Sequence, residues 1–440
     1  MADGIETNKK NGVVSKHGPG PEATVLIIGA GSTGLALAQG LKKAGISCVV
    51  YEKHASLDGR PRDWNMGLHW AAPALMDLLS EESRARIQSV QVDASSPTPE
   101  HDIVPILNAQ TGEQIMAVPV QRFYRLRRSK LRALLAEGVD IRYGKKLQGI
   151  TYSEDGKTAT AFFEDGTSAS ARLIIGADGA RSTMRKLLIG PEQGVVRRLP
   201  YCATFVYAKY TAEQALHLRQ WHPLYLGGIN PSGHYGFFGL QDVPDPSRPE
   251  TWTFFFYISW PCSLEEQDKT AGWTNAQRLK QIRSFGKQFS DPWRSACEWI
   301  EDDNYPVWYM GLTDFDPGAE GHRWDNHGGR VTLAGDAAHA MTYQRGQGLN
   351  HSMADAAKLV DAIKSFAHNN NDNDEESRSA QAAAISSYED ETIERSGAEV
   401  RLSTINTEML HNWEKVLQSP ALTLGIKRTK NEVAEVAEVH

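Results

Sequence analysis

The hexapeptide Gly29-Ala30-Gly31-Ser32-Thr33-Gly34 constrains this chain more than any other feature. It follows the apolar run Thr24 to Ile28 and opens a Leu- and Ala-rich stretch, Gly34 to Ala44, before a second apolar run, Ile46 to Tyr51. Continuous apolar runs of this length read as strands buried on both faces, and the stretch between them has helical spacing. The three pieces predict the strand, helix, strand unit of a parallel sheet. In such a turn the first glycine permits the tight bend, the second lets the backbone approach a pyrophosphate, and the third lets the helix pack close. The phosphates then meet the positive end of the helix. Ala38, Leu41 and Gly45 extend the pattern. Glu52, with Lys53 beside it, closes the second strand where a carboxylate accepts both ribose hydroxyls of an adenosine. A glutamate there repels a 2'-phosphate, so the motif points to FAD or NAD rather than NADP.

At 440 residues the chain is too long for one ordinary core and long enough for two domains sharing a cleft. The acids outnumber the bases, 54 to 47, which leaves a net charge of -7 and no basic footprint for nucleic acid or anionic lipid. Small molecules are therefore the expected partners. Cys48, Cys202, Cys262 and Cys297 match neither a disulfide framework nor a metal site, which suits a reducing compartment. No run of about 18 apolar residues exists to span a bilayer, the polar start of the chain lacks a signal core, and a cytoplasmic location is the expectation. The charged segment Gly425 to His440 reads as a solvated tail, with an amphipathic helix as the alternative.

Further along, Leu126 to Glu137 has helical periodicity, Ile141 to Tyr152 and Ala159 to Phe163 read as strands, and Arg172 to Gly176 as a buried strand. From Leu199 to Trp308 short alternating runs such as Thr251 to Ile258 sit between Gly and Pro turns, the pattern of an antiparallel sheet rich in aromatic residues. A strand over Arg330 to Ala334 and a helix over Gly348 to Phe366 return to the first pattern; Asn369 to Ser377 reads as an exposed loop, with helices after it. The expected fold is α/β: a Rossmann-like FAD-binding domain with an inserted antiparallel-sheet substrate domain and C-terminal helices. Its expected bounds are a disordered leader over 1–23, a discontinuous FAD-binding domain over 24–95, 120–198 and 310–368, a substrate domain over 96–119 and 199–309, and a helical region over 378–440.

Two more motifs narrow the cofactor. Leu173 to Arg185 carries Asp178-Gly179 after a buried strand, then Ser182 and Arg185; Val331 to His339 carries Gly335-Asp336 and runs into Gly346-Gln347-Gly348-Leu349-Asn350, which opens a helix. With three spaced motifs in this order over roughly 24–400, the chain resembles the flavin-dependent aromatic hydroxylases of the para-hydroxybenzoate hydroxylase type (group A flavoprotein monooxygenases), in particular their fungal secondary-metabolism branch. The resemblance implies that Asp336 accepts from the ribityl chain of a non-covalent FAD, while Gly346, Gly348 and Leu349 point N–H groups at the flavin pyrimidine edge. Asp178 would serve FAD and the nicotinamide donor; Arg128, Arg60 and Arg62 would meet the pyrophosphate. Without the family match, Arg128 reads equally well as a solvated helix residue. His339 reads as a core histidine, and no metal site is expected. Family members usually carry a proline where this chain has Tyr343, so Tyr343 and Arg345 either reshape the reactive face or cap the loop.

The implied chemistry is an NAD(P)H- and O2-dependent insertion of one oxygen atom into an aromatic or polyketide/alkaloid-like molecule through a flavin hydroperoxide, in a pocket that excludes water. No second GxGxxG is present, so the reductant visits without its own Rossmann domain. Tyr207, His234 and Tyr235, polar tips on the predicted sheet, are the candidates for a base or hydrogen-bond partner to a phenol. The competing readings are a flavin dehydrogenase or reductase, a Baeyer-Villiger or epoxidising enzyme, and an idle flavin carrier; a halogenase is disfavoured by the absence of Trp-x-Trp-x-Ile-Pro.

Overall fold

The computed structural model describes residues 23–59, 62–367 and 375–423. The leader, Arg60, most of the Asn369 to Ser377 segment and the stretch from Gly425 onward lie outside the described residues.

The apolar runs pair as their composition requires. Ala23–Ile28 lies between Cys48–Glu52 and Ser168–Gly176, parallel to both, and Ile141–Tyr143 adds a further parallel strand outside Cys48–Glu52. Val331–Leu333 is parallel to the end of Ser168–Gly176, whose first half pairs antiparallel with Ala159–Phe163, and Leu147–Tyr152 completes seven strands. The expected single strand from Ile141 to Tyr152 is thus two, because Gly144 turns the chain at φ +70°. Helix Ser32–Lys43 packs on this sheet against the long helix Gly348–Ala367. Its apolar side chains are fully buried on both faces, Val25, Ile27 and Leu173 on one and Leu26 and Ile174 on the other, as a two-sided parallel sheet demands.

A second sheet of seven strands supplies the other layer. Its order is Val307–Asp314, Arg197–Ala208, Thr253–Pro261, His234–Asp242, Tyr225–Asn230, His101–Asn108 and Gln114–Gln121. All neighbours are antiparallel except Tyr225–Asn230 with His101–Asn108. A short ribbon, Asn65–Leu68 paired with Tyr124–Arg127, carries the chain between the layers. The helix expected from Leu126 begins at Arg128, because Leu126 and Arg127 belong to that ribbon. Residues 375–377, expected in a loop, open a single helix, Glu375–Leu410, that packs against Gly348–Ala367.

Candidate active site

The glycine turn is built as its spacing predicts. Gly29 sits at φ +112°, and a Cβ there would stand 2.5 Å from the Ala177 carbonyl oxygen; a Cβ on Gly34 would stand 2.1 Å from the oxygen of Gly29 itself. At Gly31 a Cβ would meet only the Ala177 oxygen, at 3.9 Å, so the space before it is open to a ligand. Buried Arg132 steadies the turn by donating to the oxygens of Ala30 and Leu57, both at 3.0 Å.

Gly31, Arg128, Asp178, Asp336, Gly346, Gly348 and Leu349 line one cavity of about 600 Å3 between the two sheets. Asp336 opens its carboxylate into this space, and burial by the surrounding protein raises its pKa, against the opposing charges of His339, Arg185 and Arg128. Gly348 and Leu349 begin a helix, so their N–H groups have no acceptor within it. Asn350 fixes that helix end by accepting from the His69 N–H at 2.9 Å and donating to the Gly67 oxygen at 3.1 Å. Arg128 opens the helix Arg128–Ala136 with its guanidinium 4.1 Å from the Trp64 ring centroid. The helix is capped by Asp63, which accepts from the Ser129 N–H and hydroxyl.

The carboxylate of Asp178 does not reach into the cavity freely: it caps Thr183–Ile189, accepting from the N–H groups of Thr183 at 2.7 Å and Met184 at 3.1 Å and from the Ser182 hydroxyl. Glu52 is placed behind the turn rather than on the cavity wall; it accepts from the Ala30 N–H at 2.9 Å and the His54 N–H at 3.0 Å. Lys53 is exposed and Arg62 stacks on Trp308 at 4.8 Å, both off the wall.

Buried side chains, one of them the Arg185 of the second motif, hold the motifs together. Arg185, fully buried, donates to the Ala180 oxygen at 2.6 Å and the Ala337 oxygen at 2.8 Å, which ties the Asp178 loop to the Asp336 loop. Asp355 accepts from the Gly335 N–H at 2.7 Å, from His339 Nε2 at 2.6 Å and from Arg395 at 2.7 Å. His339 is therefore a core histidine, and no group of metal-ligating side chains occurs among the described residues. Arg345 donates to Glu399 at 2.8 Å and anchors its loop to the helix Glu375–Leu410, whereas Tyr343 projects into the cavity. Its ring lies 5.5 Å from Phe205 and 5.1 Å from Tyr257, and its hydroxyl is buried without a partner.

The far wall is aromatic: Phe205, Phe237, Phe255, Tyr257 and Trp308. Of the three sheet candidates, only Tyr235 joins it. His234 is its neighbour on the same strand, and successive strand residues face opposite ways; His234 packs behind the sheet, 4.5 Å from Phe285. Tyr207 lies beyond the cavity, its hydroxyl donating to the Asp63 oxygen. Arg125, on the ribbon beside these rings, has as its only sequence signal a third arginine in Arg125-Leu126-Arg127-Arg128, which alone marks no site.

A model of the FAD binding domain family matches residues 22–197 and 320–395. The chain is 35% identical over 404 residues to the FAD-dependent monooxygenase cctM of Talaromyces islandicus, covering 92% of this chain and 97% of that one. It is 34% identical to the FAD-dependent monooxygenase phnB of Penicillium herquei, covering 95% and 99%. Among solved structures, Klebsiella pneumoniae HpxO, complexed with FAD and uric acid, has the same fold at a TM-score of 0.68 and 18% identity, over 94% of this chain and 95% of that one. This chain belongs to the FAD-dependent monooxygenases. It is an oxidoreductase of the hydroxylating flavoprotein kind, and FAD is its cofactor.

Proposed function

We propose that this enzyme uses NAD(P)H and O2 to insert one oxygen atom into a flat aromatic or polyketide-like molecule held against the second sheet. The single observation that carries this reading is that the cofactor-side groups Asp336, Arg128 and Gly348 and the aromatic wall with Tyr235 share one cavity. FAD fits the first group on the structure's own terms: space is open before Gly31, Arg128 faces the cavity, an acidic acceptor stands in it, and a helix N-terminus ends at it. When bound and reduced, FAD supplies the activation of O2 and the transfer of one oxygen atom.

In this reading, Arg128 and the Gly31 turn hold the pyrophosphate, Asp336 accepts from the ribityl hydroxyls, and the Gly346 to Leu349 N–H groups favour negative charge at the pyrimidine edge. Glu52 serves the adenosine by turning from Ala30 to the ribose, and Asp178 acts by shaping its loop. The aromatic wall excludes water and orients the acceptor ring. Burial raises the Tyr235 hydroxyl to about 12, so it remains protonated and serves as a hydrogen-bond donor rather than as a base. The FAD-binding part then comprises 24–95, 120–198 and 310–368 and the acceptor part 96–119 and 199–309, with the helical region beginning near 378. No helix among the described residues is long and apolar enough to cross a membrane. Four unpaired cysteines suit action in the cytoplasm.

The test is isotopic and mutational. With its acceptor present, the FAD-loaded protein consumes NAD(P)H faster and places one atom of labelled O2 in the product; NAD(P)H consumption without label would make it a dehydrogenase. D336A should lower FAD occupancy by about tenfold or more, the loss of charge-assisted hydrogen bonds, while Y235F keeps FAD and loses coupling of NAD(P)H use to product. Equal FAD loss in both would remove the site assignment.

A further inference from the structure

One cation in the cavity has no part in the cofactor site. Arg125 is only 8% exposed and lines the cavity from the ribbon, on the side of Tyr235, Tyr257 and Phe237. Its guanidinium lies 4.8 Å from the Phe237 ring centroid and 5.8 Å from that of Tyr225, and donates to the Asn65 side-chain oxygen. Its Nε–H is buried with no partner. The ionisable groups acting on it are Tyr225, Tyr257 and Tyr235, not a carboxylate. Burial lowers its pKa to about 10, which these tyrosines partly oppose, so it is charged at neutral pH.

A guanidinium removed from water costs several kcal/mol unless a countercharge accompanies it. Every other deeply buried arginine beside the cavity has an evident use. Arg345 is paired with Glu399, Arg185 with four backbone oxygens, and Arg128 stands on the cofactor side. Around Arg125 the protein offers ring faces and one amide oxygen, so its countercharge is left to whatever fills the cavity. A guanidinium fork is suited to an ionised oxygen, and the walls beside it suit a flat ring.

We propose that Arg125 is the specificity-determining cation of the acceptor site and selects aromatic compounds that present an ionised oxygen, phenolate or carboxylate, to its guanidinium. The proposal rests on the oxygenase reading, because it takes the aromatic wall as the acceptor's seat. In the phenolate case Arg125 also favours loss of the hydroxyl proton to solvent, and the ionised oxygen enriches the ring carbons that receive the oxygen atom.

Equilibrium binding to the FAD-loaded protein tests this with three probes of similar size: 4-nitrophenol, benzoate and the uncharged 4-nitroanisole. At least one anion should bind the wild type about tenfold more tightly than 4-nitroanisole, as a charge-assisted hydrogen bond of about 1.4 kcal/mol requires. R125Q should bring that preference to within about twofold of unity, and R125K should keep part of it, since the charge stays and the fork is lost. For 4-nitrophenol, affinity should rise as pH climbs through the phenol's own pKa in the wild type and stay flat in R125Q. Preference for 4-nitrophenol alone assigns a phenolate, and for benzoate alone a carboxylate. Equal affinity for all three probes in the wild type, failure of both anions to bind, or an undiminished preference in R125Q overturns the proposal. If R125Q does not fold, the wild-type preference and R125K decide. Flavin content is read on the same samples: a wild type that takes up no FAD defeats the oxygenase reading and this inference with it, whereas loaded protein without anion preference defeats the inference alone.

Discussion

The two ends of the cavity are made of different materials. At the cofactor end the walls are largely backbone, the Gly31 turn, the Gly179 loop and the start of Gly348–Ala367, backed by Gly29, Gly34 and Gly335, where an added methyl group would collide with its neighbours. At the acceptor end they are side chains of the second sheet and its ribbon, Phe205, Tyr235, Phe255, Tyr257 and Arg125. A backbone wall specifies one ligand through spacing that tolerates little change, whereas a side-chain wall is rewritten one residue at a time.

If this contrast holds, the largest effect belongs to Gly34→Ala. Its methyl would sit 2.1 Å from the Gly29 oxygen, so the turn or the helix must move. A loss of about 4 kcal/mol of stability is expected, read as a fall in thermal midpoint, together with loss of bound flavin. Normal flavin content and midpoint would show that the turn is not rigid.

Next comes Asp355→Asn, beneath the Asp336 loop. Burial by itself would raise this carboxyl, but the charges and hydrogen bonds of His339 and Arg395 outweigh it and hold its pKa well below the ordinary range. A depressed carboxylate stabilises the fold above its unfolded pKa, about 4, and that contribution is lost as pH falls below it. D355N should cost about 3 kcal/mol at neutral pH, as breaking a buried ion pair does, and should flatten the acid limb of the stability curve. A variant whose unfolding keeps the wild-type slope below pH 4 would place that acid sensitivity elsewhere.

The smallest change is expected from Tyr343→Phe at the acceptor end. Its hydroxyl is buried without a partner, so removing it should leave the ligand-free protein unchanged or more stable by up to about 1 kcal/mol. Flavin content should not change. Destabilisation by more than that, measured by chemical denaturation, would reveal a hydrogen bond to this hydroxyl.

The same contrast explains what could be read from residues alone. The glycine turn, the Asp336 loop and the parallel strands were legible because each is a local constraint: apolar runs bounded by glycines admit few backbones. Asp355 and Arg125 were not, and of Arg185 only its place in the motif was, because their partners lie far off in the chain: Arg185 reaches Ala337, Asp355 reaches Arg395 and Arg125 reaches Asn65. No spacing rule connects such pairs. His234 and Tyr235 are an intermediate case. Their alternation excluded a shared face from the outset, but which of the two faced the cavity depended on the other layer. Glu52 illustrates a different limit, since the strand-end position was legible and the bond to Ala30 was not. The start of Arg128–Ala136 is not legible in the sequence because Leu126 suits a strand and a helix equally.

The family match stops at residue 395, yet the helix Glu375–Leu410 runs on past it and a short helix, Pro420–Thr423, follows, and Leu410 and Leu422 both contribute to the cavity. Part of the acceptor end's lining is therefore drawn from chain that the shared cofactor module does not include. Exchanging that tail among relatives is a route to new clientele that leaves the nucleotide cradle untouched.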